Sequence, residues 1–493
     1  MLCVIIAQAR ADDLVAQHRQ LTQQGAPLVE LRLDYLEDRI DIEPLLARRP
    51  GPVIVTCRRP ADGGKFAGSE ADRLALLRGA VVAGADYVDL EEDIAANVPR
   101  AGSTKRIISR HDFQHTPADL PALHRRLCGL DPDLVKLVTT ATTPHDNIRM
   151  IELLRTATVP TVGFCMGEIG LITRVLGGRY GAPLAYAAAD RQQAVAPGQL
   201  SFAEMKDLYR YDQIDAQTEV YGVIADPVGH SMSPLIHNTA FAHLGLNKVY
   251  LPLRVPSEHL AQFMDEIPQL GVKGLSITIP HKETVLPKLH QVEPSVRDIG
   301  AANTAVFDGR YWSGYNTDCR AAVESLEEAL GGTPGQPSPL AGKTVLLLGA
   351  GGVGKAIAVG LLARGAQVVL TDGNDQRAVE LAARLQCRTV PWAERYAVRA
   401  EILVNATPLG MHPKIQETPY DKQRLRAGMV VFDVVYNPEY TQLLLDAQSR
   451  DCKTVSGLDM FVRQACLQFK LFTGQEGPAE LMREVLKKAL SGP

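Results

Sequence analysis

Eight short apolar runs, spread over the first roughly 210 residues, constrain this chain more than any other feature. They are Leu2–Ala7, Leu28–Leu33, Val53–Cys57, Tyr87–Leu90, Arg106–Ser109, Leu134–Val138, Thr161–Cys165 and Leu184–Ala188. Helical patterns lie between most of them, for example Asp12–Gln24, Glu70–Ala83, Pro121–Leu130 and His145–Thr156. Parallel strands need a long crossover, usually a helix. The alternation therefore predicts an α/β unit with the size of a (β/α)8 TIM barrel. Seven units, or an open parallel sheet, satisfy the same periodicity.

A barrel leaves more than half of the 493 residues for something else. At that length two to four domains are expected. With 46% apolar and 22% charged residues, each can bury a core. A net charge of −4 and a pI near 6.3 give no electrostatic reason for a nucleic-acid or anionic-membrane partner. The eight cysteines form no CxxC pair and no His/Cys cluster, which favours reduced thiols over disulfides or zinc, so no metal is expected. The opening LCVIIA is strand-length and lacks a basic leader, so it is read as no signal peptide. No apolar stretch reaches the roughly 20 residues of a membrane helix. Small-molecule substrates and a cytoplasmic location are the expectation.

Barrel active sites lie where the strands end. Here charged residues stand at or just past those ends: Glu30 and Arg32, Arg58, Asp89 and Glu91, His111 and Asp112, Lys136, then Arg174 and Gln199 in the last loops. Independent surface ion pairs would not gather at one end of nearly every strand. Lys136 is the most telling. Inside LVKLV it is desolvated, and cations such as Arg32, Arg58 and Arg174 nearby would lower its pKa further. A partly neutral amine suits Schiff-base chemistry on a ketone. A snorkelling lysine is the plain alternative. His111 can supply the proton transfers. The arginines point to an anionic substrate, since a guanidinium binds carboxylate with a two-pronged fork.

ELRLDYL (30–36), TCRRPADGGKF (56–66), DLE (89–91), SRHDF (109–113), LVKL (134–137), MGEIGLITR (166–174) and APGQ (196–199), in that order, resemble type I 3-dehydroquinate dehydratase. The resemblance implies that Lys136 forms an imine with the substrate ketone and that His111 is the general acid/base. It implies that Glu30, Arg32, Arg58, Arg174 and Gln199 hold the ring hydroxyls and carboxylate, with Asp62 where the family usually has a glutamate. Val195 replaces a substrate-contacting serine, and the segment from Arg174 to Gln199 is a couple of residues longer than usual. Weaker substrate binding, with the chemistry intact, is the expectation.

After a short polar hinge at Asp215–Glu219, EVYGVI, KVYLPL, VKGLSITI, ANTAVF and YWSGYN read as strands of a smaller lobe. GGTPGQPSPLAG (331–342) reads as a linker. Then comes KTVLLLGAGGVGKAIAVGLLARGAQVVLTD. Gly349, Gly351 and Gly354 form GxGxxG between a predicted strand and helix, and a second strand ends in Asp372. In that setting the glycines are a dinucleotide fingerprint, whereas the spacing alone is weak. Lys282 and Asp318 make a natural proton relay for alcohol/ketone interconversion beside a nicotinamide. Taken singly, each is an ordinary loop or capping residue. His230, His237, His281 and His412 read as structural or surface histidines.

GHSMSP (229–234), SITIPHK (276–282), AANT (301–304), GYNTD (314–318), NATPLGM (405–411), DVVYNPEYTQLL (433–444) and GLDMFVRQA (457–465) together resemble shikimate dehydrogenase from about residue 219 onward. The resemblance implies Ser231, Ser233, Thr278, Asn303, Tyr436 and Gln464 as shikimate contacts, with Lys282 and Asp318 as the catalytic pair. It implies cofactor contacts from Gly349, Ala350, Gly351, Gly352, Val353, Gly354, Asp372, Arg377, Asn405, Thr407, Val434 and Gly457. The cofactor would be NADP(H) by family habit. Yet Asp372-Gly373-Asn374 stands where NADP users carry Asn-Arg-Thr, and an acidic residue there bonds a free ribose 2′-hydroxyl and repels a phosphate. Arg377, one helical turn on, partly compensates, so NAD(H) is expected to be accepted or preferred.

The order of the halves is most similar to the fusions of the two enzymes. The implied layout is a barrel at 1–215, a substrate lobe at 219–331, a Rossmann NAD(P)-binding lobe at 341–455, and closing helices at 456–493. Such a fusion dehydrates 3-dehydroquinate to 3-dehydroshikimate and reduces that to shikimate. Quinate as the second half's preferred substrate, or a non-catalytic metabolite-binding regulator, are the alternatives. Against the latter, all four catalytic candidates are present and no basic DNA-binding segment is appended. Oligomeric state is left unassigned.

Overall fold

The computed structural model describes residues 1–37, 40–333 and 335–491. They form two compact units, one of Met1–Val220, Pro227–Gly229 and Asn247–Gly271, the other of Tyr221–Asp226, His230–Leu246 and the chain from Val272 onward.

The first unit carries β1 (Leu2–Ile6), β2 (Leu28–Arg32), β3 (Val53–Thr56), β4 (Tyr87–Glu91), β5 (Lys105–His111), β6 (Leu134–Thr140), β7 (Thr161–Met166) and β8 (Ala185–Ala188). Every neighbouring pair is parallel, in the order β7-β6-β5-β4-β3-β2-β1-β8. Since β1 pairs with both β2 and β8, the sheet curls into a nearly closed eight-stranded barrel, with no ladder between β7 and β8 among the described residues. Helices Ala11–Gln23, Glu70–Val82, Leu120–Cys128 and His145–Thr156 cross between strands as the patterns predict, whereas β4 and β5 are joined through a three-residue 3₁₀ turn, Ala95–Asn97. Ser69 starts one crossover by accepting the N–H of Asp72 at 3.1 Å. After β8 the chain makes a short helical stretch whose last five residues, Glu204–Leu208, are a π turn. The expected hinge is tied down: Thr218 is buried, and its hydroxyl donates to Asn247 Oδ1 at 2.6 Å.

Strand alternation places the site. Cys3, Leu28, Ile54, Tyr87, Ile107, Leu134, Val162 and Leu184 share the apolar cluster inside the barrel. Two residues further along each strand, the same inward row reads Ile5, Glu30, Thr56, Asp89, Ser109, Lys136, Phe164 and Tyr186, with only Ile5 and Phe164 wholly apolar. The interior is therefore apolar at the bottom and polar at the C-terminal face.

In the second unit, the strand Glu219–Ala225 from Tyr221 on, then Val272–Ile277, Thr304–Phe307, Trp312–Tyr315 and Gln291–Val292 follow one another across a mixed sheet. A separate parallel sheet runs Arg388–Thr389, Gln367–Thr371, Thr344–Leu348, Ile402–Asn405, Val430–Asp433, Lys453–Val455. That is the 3-2-1-4-5-6 order of a dinucleotide-binding fold, whose strand order reverses at Thr344–Leu348. The linker is anchored by Leu340, which is fully buried in the core of this sheet, while its Pro334 lies outside the described residues. The helix Gly457–Thr473 starts in a capping box of Ser456 and Asp459 and buries Gln464 and Gln468.

Candidate active sites

In the barrel, Lys136 is buried and its Nζ meets Asp89 Oδ2 at 2.9 Å and Glu30 Oε1 at 3.2 Å. Thr56 Oγ1 donates to the same Glu30 oxygen at 2.7 Å, and Ser109 Oγ donates to Asp89 Oδ1 at 2.5 Å. Arg58 reaches Asp89 Oδ2 at 3.0 Å and donates to Nδ1 of His111 at 2.8 Å. The expectation that cations surround the lysine is thus corrected: its direct partners are two carboxylates. Buried cations need counter-charge, and Glu30 and Asp89 supply it. Burial raises the Asp89 carboxyl, but Arg58 and Lys136 outweigh it and hold the group well below its ordinary range. His111 is pushed well below 6.5, by burial first and then by Arg58 and Lys136. A guanidinium only donates, so Nδ1 of this neutral imidazole accepts and Nε2 carries the proton.

Arg32 is spent on a neighbouring carboxylate. It forms a two-pronged pair with Asp34, Nε to Oδ1 at 2.9 Å and Nη2 to Oδ2 at 2.7 Å. Arg174 differs from the other two arginines. It is buried against the Phe164 ring at 4.5 Å, Nη2 donates to the Pro197 carbonyl at 3.1 Å, and Nε has no hydrogen-bond partner among the described residues. Burial lowers it to about 10. A buried guanidinium without a carboxylate has the chemistry to receive an anion. Gln199 is buried, and its Oε1 accepts from Val195 N at 3.0 Å. Asp62 stands apart from this cluster, paired with Arg59 at 2.5 Å.

In the second unit, Lys282 Nζ and Asp318 Oδ2 are 2.6 Å apart at a partly exposed position. Asn316 caps the helix Thr317–Ala329 by accepting from Cys319 N at 3.0 Å, which sets Asp318 in its first turn. Asn303 is buried: its Nδ2 donates to Thr317 Oγ1 at 2.9 Å, and Thr317 Oγ1 lies 3.5 Å from Gln464 Oε1. Ser231 Oγ accepts from Ser233 N at 3.3 Å, and Thr278 is half-buried just past the strand Val272–Ile277. Tyr436 packs on Phe461 with ring centroids 4.8 Å apart.

Gly349 has φ +105°, and a Cβ on Gly354 would lie 2.0 Å from the Gly349 carbonyl, so both positions require glycine. A Cβ at Gly351 or Gly352 would meet nothing within 4 Å, leaving open space over the N-terminus of the helix Gly352–Ala363, where Val353 is partly buried. Backbone N–H groups bordering open space there fit a pyrophosphate. Beside them is a cleft of about 450 Å³ lined by Gly349, Gly351, Asp372, Arg377, Trp392 and Thr407. Asp372 accepts from Ala350 N at 2.7 Å and from Asn374 N at 2.8 Å. Asn405 spends its side chain internally, donating to Asp433 at 2.9 Å and accepting from Thr407 Oγ1 at 2.6 Å. Val434 N donates to the Asn405 carbonyl, and a Cβ at Gly457 would lie 2.4 Å from the Val434 carbonyl. Among the described residues, no His/Cys/Asp/Glu group could hold a metal ion, and no helix is long and apolar enough to cross a membrane.

Several partners carried no role in the sequence reading: Asp34, Thr56, Ser109, Thr317 and Gln468. Gln468 accepts from Ser276 Oγ at 2.7 Å and donates to Thr304 Oγ1 at 3.0 Å. Strand parity marks Thr56 and Ser109 as inward. Nothing local marks the others.

A parallel barrel with a buried lysine at its C-terminal face, followed by a two-lobed dehydrogenase with a Rossmann sheet, defines a two-activity enzyme. Residues 2–216 match type I 3-dehydroquinase, 223–305 the shikimate dehydrogenase substrate binding domain, 344–436 the coenzyme F420-dependent NADP oxidoreductase family, and 457–487 the shikimate 5′-dehydrogenase C-terminal domain. A chloroplastic bifunctional 3-dehydroquinate dehydratase/shikimate dehydrogenase of Arabidopsis thaliana is 38% identical over 99% of this chain and 84% of its own. Two solved shikimate dehydrogenases each match 55% of this chain. That of Thermus thermophilus, with NADP(H) and shikimate, covers all of its own length at 33% identity and TM-score 0.50. That of Listeria monocytogenes, with shikimate and NAD, covers 98% at 30% and 0.51. The chain belongs to the bifunctional 3-dehydroquinate dehydratase/shikimate dehydrogenase family. It carries a dehydroquinate dehydratase, a lyase, in its N-terminal part and a shikimate dehydrogenase, an oxidoreductase, in its C-terminal part.

Proposed function

We propose that the dehydratase works through Lys136 and His111. The carrying observation is the buried Lys136 amine held by Glu30 and Asp89, with a neutral His111 on the far side of Arg58. The lysine sheds a proton, its amine adds to the ketone carbon of 3-dehydroquinate, and water leaves to form an iminium. This withdraws electrons from the neighbouring carbon, so a base can take its proton. Neutral His111 is that base once Arg58 turns from Nδ1 to the bound substrate and frees that nitrogen, and returned to the departing hydroxyl the proton releases water. Hydrolysis then frees Lys136 and 3-dehydroshikimate. Arg174 takes the carboxylate, with Gln199, Glu30, Arg32 and Arg58 on the remaining oxygens. Asp62, tied to Arg59, acts from the rim.

In the dehydrogenase, Ser231, Ser233, Thr278, Asn303, Tyr436 and Gln464 orient the substrate, and Lys282 with Asp318 moves the proton at the reacting oxygen. The open glycine turn from Gly349 to Gly354 holds the cofactor pyrophosphate. A bound nicotinamide supplies the hydride. Asp372 presents a carboxylate at the end of the second Rossmann strand and no Arg follows it at Gly373. This supports NAD(H) as accepted or preferred, and the NAD complex of the Listeria relative is consistent with it. The layout 1–215, 219–331, 341–455 and 456–493 follows the same roles.

The test is to supply 3-dehydroquinate with NADH or NADPH, follow both products, and trap with borohydride. An adduct on Lys136 and reduction with NADH are expected. A hundredfold advantage of NADPH in kcat/KM would sink the NAD reading, and an unmodified Lys136 would sink the imine.

A further inference from the structure

Tyr186 on β8 has no part in the roles above, yet it stands in the middle of the barrel site. It shares the inward row with Leu184 and is 4% exposed. The Lys136 Nζ lies 4.0 Å from the centre of its ring. Its hydroxyl is buried and has no hydrogen-bond partner among the described residues. Such a group forfeits its bonds to water and recovers nothing from the protein. A phenylalanine would place the same ring against the lysine without that cost. Burial first, and then Glu30, push the phenol well above its ordinary 10, so it stays neutral and able to donate.

A second unpartnered donor lies close by. Tyr186 and Arg174 line one small cavity together with Phe164 and Thr173, and Arg174 Nε is also buried without a partner. The cavity measures about 10 Å³, at the lower edge of what a single water needs. Two idle donors on one small cavity, one of them carried by the ring packed on the reacting lysine, are matched to an oxygen that arrives with a ligand.

We propose that Tyr186 is a further substrate-binding residue of the dehydratase, its hydroxyl donating to an oxygen of the bound anionic substrate beside Arg174. The proposal rests on the assignment of Lys136 and Arg174 to that substrate. It makes Tyr186 a positioning group, with the ring setting the approach to the lysine nitrogen and the hydroxyl fixing the substrate's tilt above it.

The test uses the full chain and Tyr186→Phe, which keeps the ring and deletes one atom. Three quantities are read: the ligand-free Tm, KM and kcat for dehydration, and the 3-dehydroquinate concentration giving half-maximal borohydride trapping. Expected are an unchanged or higher Tm, about a tenfold rise in KM and in the half-trapping concentration, as for one lost hydrogen bond to a charged group, and full trapping at saturation. Unchanged KM and half-trapping concentration would overturn the proposal. So would a lower Tm with unchanged KM, which would show a hydroxyl serving the folded barrel through a trapped water. Absence of an adduct in the unsubstituted enzyme would instead strike the Lys136 assignment, so the two failures are separable.

Discussion

Arg58 donates to Nδ1 of His111 at 2.8 Å, a cation bonded to the acceptor nitrogen of a buried imidazole. The contact fixes the tautomer and opposes protonation, since a second positive charge would face the first. His111 is expected to remain neutral through the pH range where histidines ordinarily titrate. NMR of the labelled ring should show no titration around pH 6.5 in the unsubstituted enzyme. Arg58→Gln should move its pKa upward. A group depressed in the fold binds its proton more readily when unfolded, so its contribution to stability is present above about 6.5 and declines as pH falls below that.

Lys136 and Lys282 lie in different units, so their losses should be separable. Lys136→Ala is expected to abolish dehydration and the borohydride adduct while shikimate oxidation continues. Lys282→Met should do the converse, lowering dehydrogenase kcat by about 10²–10⁴. His111→Ala should cost dehydration a similar factor. Both activities are followed on the full chain, and loss of both from one substitution would contradict the assignments.

Gly373 has open space where a side chain would go. Asp372→Asn with Gly373→Arg removes the carboxylate and adds a phosphate-binding guanidinium. The ratio of kcat/KM for NADPH over NADH is expected to rise by about tenfold or more, in line with the strength of a charge-assisted contact. Calorimetric affinities for the two cofactors should move the same way.

Asp433 is fully buried, accepting from Thr441 Oγ1 at 2.6 Å, Asn405 Nδ2 at 2.9 Å and Val435 N at 3.0 Å. Burial raises it from 3.8 to about 6, against the pull of those three donors. A carboxyl raised in the fold stabilises while protonated, so its contribution is complete below about 4 and lost as pH climbs through about 6. Asp433→Asn should flatten that slope, a difference of at most about 3 kcal/mol. Chemical denaturation at pH 4, 5, 6 and 7 would show it, and parallel slopes for the two proteins would refute it.

The sequence by itself determined the elements and their chemistry. Alternation within LVKLV turns Lys136 inward, the apolar runs space the barrel strands, and Gly349 and Gly354 sit where the backbone demands glycine. These are local properties, legible because a strand repeats every two residues and a tight turn excludes Cβ atoms. Pairing was decided only by the tertiary structure. Glu30 and Asp89, 106 and 47 residues from Lys136 in the chain, meet its amine because the curled parallel sheet turns inward positions of β2, β4 and β6 onto one another. The same register corrects the expected ring of arginines: Asp34 takes Arg32, Asp89 takes Arg58, and Arg174 keeps no carboxylate. Which buried charge is neutralised, and which is left for substrate, depends on distances in space. Residue types along the chain do not encode them.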